Sequence, residues 1–473
     1  MSFKRTFFKN LFVSGGFTYL TQLVTLSASF ITSRLLAPAD FGLVGLITVF
    51  SGFISAFSEN AIAMAVIRSE YKQTYYRGLN YLSIFLGIIL CAITILLIYP
   101  ISLFYNNHNI IWPGIAIAFL FIGRSVSIVP TALLQKELQF GKAGRILFFS
   151  TLVGTISTII MAYLGTSYWS LIWSQYVTAI VSFIILFSAK QAVFSKTRLV
   201  VVRKTFGLAR KLIGSIIGFN MVNYWARNAD NLIVGKYYGT SDLGIYNRAY
   251  LMLMMPLNLI TSIFSSVMLP SLTKHKNNGG DVETEYYFML KVISLINIPI
   301  AFILILFPEP LVRILWGNNW IDVAHLLPYF GELVLTQTLV STLASIMVLQ
   351  KLEKHLMYTG WINAVFMVSG IIFGATISLT AIAAFYSLSY IVLVLPLYIF
   401  YIFNYKLRIN MQVLKFWLPK LFLSIFIWLG IYLAVFPVVL SGLTLWVALI
   451  FWDVRKELVI ISNWLLPKLS RIF

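Results

Sequence analysis

Acidic residues are scarce in this chain, with 15 Asp and Glu among 473 residues against 35 Lys and Arg, and charged side chains make up only 11% of the whole. Soluble domains carry charge on roughly a quarter of their positions, so this composition cannot build a water-facing surface. Cysteine occurs once, at Cys91 inside an apolar run. That excludes a disulfide framework and a thiolate metal cluster, and leaves Cys91 as a buried structural thiol. A G-x-x-x-x-G-K-[ST] phosphate loop is missing, and with it an ATP site of that kind. The four histidines, His108, His275, His325 and His355, show neither H-E-x-x-H nor a pair at ligand spacing. No catalytic residue, metal site or cofactor is expected, and the chain does not read as an enzyme.

Apolar sequence is what the chain has in quantity: 60% hydrophobic residues, with a mean hydropathy of +0.89. Runs of about 20 apolar residues, each able to cross a hydrocarbon core of roughly 30 Å, recur from end to end. The expectation is an all-α, polytopic membrane protein of about fourteen helices. Spans are placed near 11–33, 43–67, 79–104, 112–134, 146–165 and 168–188, then 212–235, 245–270, 291–307, 325–349, 358–378 and 381–403, with two more at 417–435 and 437–452. The first run is longer than a signal core and lacks a cleavage site, so it reads as an uncleaved helix.

Lys and Arg accumulate in cytoplasmic loops. With the N-terminus inside, the cytoplasmic segments collect 29 of the 35 basic residues, the largest group lying between Lys190 and Lys211. The opposite loops hold only Arg34, Lys236 and Arg313. Both termini are therefore expected in the cytoplasm, and the net charge of +20 reads as topology and attraction to anionic membrane lipid, with no nucleic acid implied. The stretch from Asp453 to Phe473 reads as an interfacial amphipathic tail.

The chain also repeats itself. At a constant offset of 202 residues, Gly16-Phe17 matches Gly218-Phe219, Ile31 matches Ile233, Arg34 matches Lys236, Asp40 matches Asp242 and Gly42 matches Gly244. Six helices per half is an even number, so the halves are parallel and related by an axis along the membrane normal. The organisation expected is an N-terminal six-helix lobe (1–189), a basic interlobe linker (190–211), a C-terminal six-helix lobe (212–403), and two further helices with the tail (404–473). A central cavity between the lobes is the natural substrate path. Around the repeated loops, Pro38, Gly42, Gly239 and Gly244 permit a sharp turn, while Asp40 and Asp242 can cap the helices that follow.

The first-loop motif Leu35-Leu-Ala-Pro-Ala-Asp-Phe-Gly42, the stretch Asn228-Ala-Asp-Asn-Leu-Ile-Val-Gly235 and the following Asp242-Leu-Gly-Ile-Tyr246 resemble Wzx-type polysaccharide flippases. These belong to the multidrug/oligosaccharidyl-lipid/polysaccharide exporter superfamily, and the resemblance covers residues 5 to 403. It implies two lobes that open alternately to each side of the bacterial inner membrane. The substrate implied is an undecaprenyl-pyrophosphate-linked oligosaccharide, a repeat unit for O-antigen or exopolysaccharide, moved to the periplasmic leaflet. A polysaccharide polymerase complex is the implied protein partner, and H+ or Na+ the implied coupling ion. The competing readings are a drug-cation antiporter of the same superfamily, which should show an acidic cavity, and an outer-leaflet enzyme of glycan assembly. The longest outer loop, 308–324, is short for an enzyme.

Six ionisable residues fall inside spans: Glu59, Arg124, Arg227, Asp230, Arg248 and Glu332. Facing lipid, each would cost roughly 2.5–3.5 kcal/mol even on the lenient insertion scale, so they should face the cavity or one another. Arg124, Arg227 and Arg248 are the candidates for the pyrophosphate, and Asp230, Glu59 and Glu332 for gating or proton coupling. Arg124 has no acidic neighbour within four residues, and Arg227 and Asp230 share a helical face. Structural salt bridges account equally well for about half of such residues. Tyr224 and Trp225 are candidate sugar contacts because the C–H faces of sugar rings are apolar, although interface anchoring also gathers Trp and Tyr.

Overall fold

The computed structural model describes residues 3–55, 59–69, 71–190, 193–277, 282–406 and 411–469, and every regular element among them is helical. Contacts divide the chain into two compact units, Met1–Gly244 and Ile245–Phe473. Ten helices among the described residues are long and apolar enough to cross a membrane. The chain is a multi-pass α-helical membrane protein.

The first unit contains α1 (Phe3–Leu35), α2 (Pro38–Ser55), α3 (Glu59–Arg68), α4 (Gln73–Phe104), α5 (Ile111–Lys136), α6 (Phe140–Tyr163), α7 (Trp169–Ala189) and the first arm of α8 (Leu199–Asn277). Here α1 lies along α6, α4 along α5, and α7 against both α5 and α6. Of the span expected at 43–67, the described residues form α2 and α3, and 56–58 lie outside the described residues. Two helical arms of α8 meet at Gly239, whose φ of +81° only glycine adopts freely. Asp40 does not cap as a leading residue. It stands in the first turn of α2 and its carboxylate accepts from the Ala37 amide at 2.9 Å, the back-reaching half of a capping box, with Pro38 opening the helix.

The second unit holds the rest of α8, then α9 (Val282–Leu306), α10 (Pro308–Leu315), α11 (Leu327–Ser341), α12 (Leu343–Leu349), α13 (Glu353–Ala375), α14 (Leu379–Ser389), α15 (Met411–Tyr432) and α16 (Phe436–Leu469). The span expected at 325–349 breaks into α11 and α12 at Thr342. That expected at 381–403 begins as α14 and widens into π turns at Tyr390–Val394 and Leu397–Lys406. Where lipid supplies no hydrophobic drive between helices, small residues let backbones close up. Gly370 and Gly374 do this on α13, since a Cβ on either would meet Ser389, Phe385 or Ala381 of the following segment at 2.1–2.6 Å.

Two basic residues counted on the cytoplasmic side by sequence, Lys291 and Lys420, are buried within α9 and α15. Lys420 is 1% exposed; its ammonium donates to Asp453 of α16 at 2.7 Å and to the Phe416 carbonyl at 2.9 Å. That ion pair fastens the last two helices together. Removing one partner of a buried pair strands the other charge, and because Asp453 is partly exposed the loss should reach up to about 3 kcal/mol. Asp453→Ala should therefore lower the thermal unfolding midpoint of the detergent-solubilised protein, and adding Lys420→Met should recover most of the loss. An unchanged midpoint in the single variant would contradict this account.

Candidate translocation cavity

Polar side chains recur at every turn on one face of two otherwise apolar helices in the first unit. On α5 they are Arg124, Ser127, Thr131 and Gln135; on α7 they are Ser174, Gln175, Thr178 and Ser182. The spacing of three or four residues puts each set in one stripe. The stripes face each other across a cavity of about 510 Å³. Its lining is hydroxyl and amide, with apolar Ala63, Ile128 and Ala179 between them. Such a surface offers many neutral donors and acceptors beside small apolar patches, which suits a carbohydrate better than a flat hydrophobic drug.

Arg124 is the charge in this cavity. Its guanidinium donates to the Gln175 side-chain carbonyl at 2.7 Å, so a neutral amide orients it without cancelling its charge. Among the described residues no carboxylate lies within ion-pair distance of it, and none lines the cavity. Arg124 and Gln175 also line a smaller, adjoining cavity of about 80 Å³, closed by Thr48, Ser51 and Ser55 of α2. A planar fork held at such a junction can take two oxygens of a phosphate.

The other expected site residues are distributed differently. Tyr224 donates its hydroxyl to the Val49 carbonyl at 2.7 Å and stacks at a tilt on Phe53, so it is tied to α2. Asp230 is buried, and its carboxylate accepts from the Asn231 amide at 2.8 Å. The side chains of Glu59, Trp225 and Arg227 lie outside the described residues. Arg248 belongs to the second unit, where it is buried with its guanidinium 5.3 Å from the Trp320 ring and 6.0 Å from Trp316, a cation–π clamp. Glu332, also in the second unit, is fully buried, with the Ser424 hydroxyl beside its carboxyl group. Sequence reasoning passed over Gln175 and the hydroxyl stripes because it searched the spans for charge. Polar residues recurring at helical spacing were the signal available.

A multi-pass helical protein with a polar cavity bordered by Arg124 is the class these features define. Residues 31–325 match the model of the family described as polysaccharide biosynthesis protein, and the chain belongs to that family. Among curated relatives it is similar to the lipopolysaccharide biosynthesis protein WzxC of Escherichia coli, 24% identical over 316 residues, covering 64% of this chain and 62% of that protein. It is also similar to the succinoglycan biosynthesis transport protein ExoT of Rhizobium meliloti, 22% identical over 338 residues, covering 68% and 65%. The chain thus spans less than two thirds of the length of these relatives. In fold it is similar to the lipid II flippase MurJ in an inward closed conformation, with a TM-score of 0.69 at 16% identity, over 94% of this chain and all of that one.

A charge-assisted hydrogen bond contributes about 1.5–3 kcal/mol. Binding of inorganic pyrophosphate to the purified protein should therefore weaken about tenfold or more in Arg124→Gln, measured by calorimetry, and less in Gln175→Ala, which removes only the orienting group. Equal affinity in Arg124→Gln and the parent would take the anion elsewhere.

Proposed function

We propose that the protein is a flippase for an undecaprenyl-pyrophosphate-linked oligosaccharide, moving repeat units from the cytoplasmic to the periplasmic leaflet of the bacterial inner membrane by alternating access. The observation that carries the reading is the cavity of α5 and α7, which joins hydroxyl and amide stripes for sugar to one arginine for the phosphates. The family and the named roles of WzxC and ExoT support surface polysaccharide assembly as the setting. A cation antiporter would need acidic groups where this cavity presents Arg124.

On this reading both termini are cytoplasmic, fourteen helices cross the membrane, and a polysaccharide polymerase receives the product. Arg227 is the second phosphate ligand, with Asp230 as its gating partner. Energy comes from an ion gradient of H+ or Na+, taken up at Asp230, Glu59 or Glu332. Glu332 is favoured among the three by its complete burial, since an isolated buried charge is costly while a carboxyl that can bind and release a cation is not.

Deletion of the gene should leave lipid-linked repeat units accumulated and accessible from the cytoplasmic side alone. A mutant that fails to make the repeat unit, with its glycosyltransferases intact, would overturn the flippase reading. In proteoliposomes, Glu332→Gln should make the transport rate independent of an imposed ion gradient while Glu332→Asp retains some dependence. Gradient-driven transport at the parent rate in Glu332→Gln would move the coupling to another carboxylate.

A further inference from the structure

Two helical turns related by the internal repeat, one at the start of α2 and one just after the Gly239 kink of α8, meet each other within the first unit. A Cβ built on Gly42 would lie 1.6 Å from the Thr240 carbonyl oxygen and 3.0 Å from the Gly244 amide nitrogen. One built on Gly244 would lie 2.0 Å from the Pro38 carbonyl oxygen. Thr240 stands 202 residues after Pro38, as Gly244 does after Gly42. Each glycine therefore packs on the repeat-mate of the residue that packs on the other glycine. That is the signature of a two-fold, self-complementary contact, here made inside one chain.

Turn geometry does not account for these two glycines. The positive-φ glycines among the described residues are Gly165, Gly239 and Gly317, so Gly42 and Gly244 hold ordinary backbone angles that alanine would share. The requirement is proximity. Both partners are backbone carbonyls, which cannot rotate aside as a side-chain tip does, so a single methyl at either position would force the turns more than an ångström apart. Two further contacts gather at the same end of the unit. The Ser167 hydroxyl of the α6–α7 connection donates to the Asp40 carboxylate, and the Lys236 ammonium donates to the Phe104 carbonyl while lying 4.7 Å over the Phe104 ring.

We propose that the repeated helical turns Pro38–Gly42, which opens α2, and Thr240–Gly244, which follows the Gly239 kink of α8, form a backbone-to-backbone latch, closed in this structure, that must part for substrate to leave on the outer side. The assignment of the latch to the outer side rests on the topology proposed above; the latch itself rests on the reciprocal contact. It needs glycine in both repeats because the closed state has no room for a side chain. It can open readily because no side-chain interlock joins the two glycines. Asp40 and Lys236 then hold the closed turns against the neighbouring connections.

The test uses the full-length chain with Cys91→Ala as its background. Ala39→Cys with Ser241→Cys should be joined by a short thiol-specific cross-linker, and the joined protein should stop transporting until the linker is cleaved. Gly42→Ala and Gly244→Ala, singly and together, should raise the rate at which Ser241→Cys reacts with a membrane-impermeant maleimide added outside by several fold. Failure of the cysteine pair to cross-link, full transport by the joined protein, or unchanged labelling in the double alanine variant would each overturn the latch. Labelling from the cytoplasmic side alone would overturn its outer placement. Neither cross-linking nor labelling needs a substrate, so a protein that shows both but flips no lipid-linked glycan retains the latch and loses the substrate assignment.

Discussion

Hydrocarbon supplies no hydrogen-bond partner, and every part of this structure follows from that. A backbone that enters the bilayer must satisfy its own N–H and C=O groups, which leaves helices as the element available to a chain of this composition. It also removes the drive that packs helices in water, since a lipid tail is as apolar as leucine. Contact must then come from close fit or from shared polar groups. Both devices recur here: glycines at Gly370 and Gly374 that bring α13 and α14 to backbone distance, and internal hydrogen bonds such as that from the Trp428 indole to the Ala384 carbonyl at 2.9 Å. The Lys420–Asp453 pair applies the same logic to charge, each group supplying what water would otherwise provide.

The same constraint makes a polar surface inside the bundle costly unless something polar passes through it. The stripes of α5 and α7 are a sustained expense of this kind. Among the described residues Ser127, Thr131 and Gln135 make no side-chain hydrogen bond to another helix, whereas a sugar chain crossing the bilayer would replace its hydration shell with such groups. Arg124 is held by a neutral amide, while Arg248 lies over two indole rings in the second unit. Two arginines that sequence places inside spans thus stand in different surroundings, one bordering a cavity and the other in a tryptophan clamp.

The internal repeat connects these points to motion. A duplicated chain meets itself with two-fold symmetry, and the contact it forms at Gly42 and Gly244 uses main-chain atoms alone. Backbone contacts of this kind are short in reach and poor in side-chain interlock, which suits a surface that must close and part repeatedly. The polar cavity and the latch occupy the same unit, so closure at one end and substrate occupancy can influence each other through α2, which carries Gly42 at its start and lines the smaller cavity with Thr48, Ser51 and Ser55.

Composition and hydropathy by themselves determined the all-helical membrane class, because a chain with 11% charge has no other stable form. The repeat, its 202-residue offset and Arg124 as a cation set within an apolar run were legible for a similar reason: each is a pattern along the chain, or a violation of one. The break within a span at Thr342, and the widening of α14, were not, since they depend on neighbours distant in sequence. Nor could sequence place Arg248 between two indole rings, bury Lys291 and Lys420 inside helices, or reveal that Gly42 is needed for proximity rather than for a turn. Those outcomes belong to tertiary structure alone. Charge and hydropathy state what a residue costs in lipid, and only the packed neighbours state what offsets the cost.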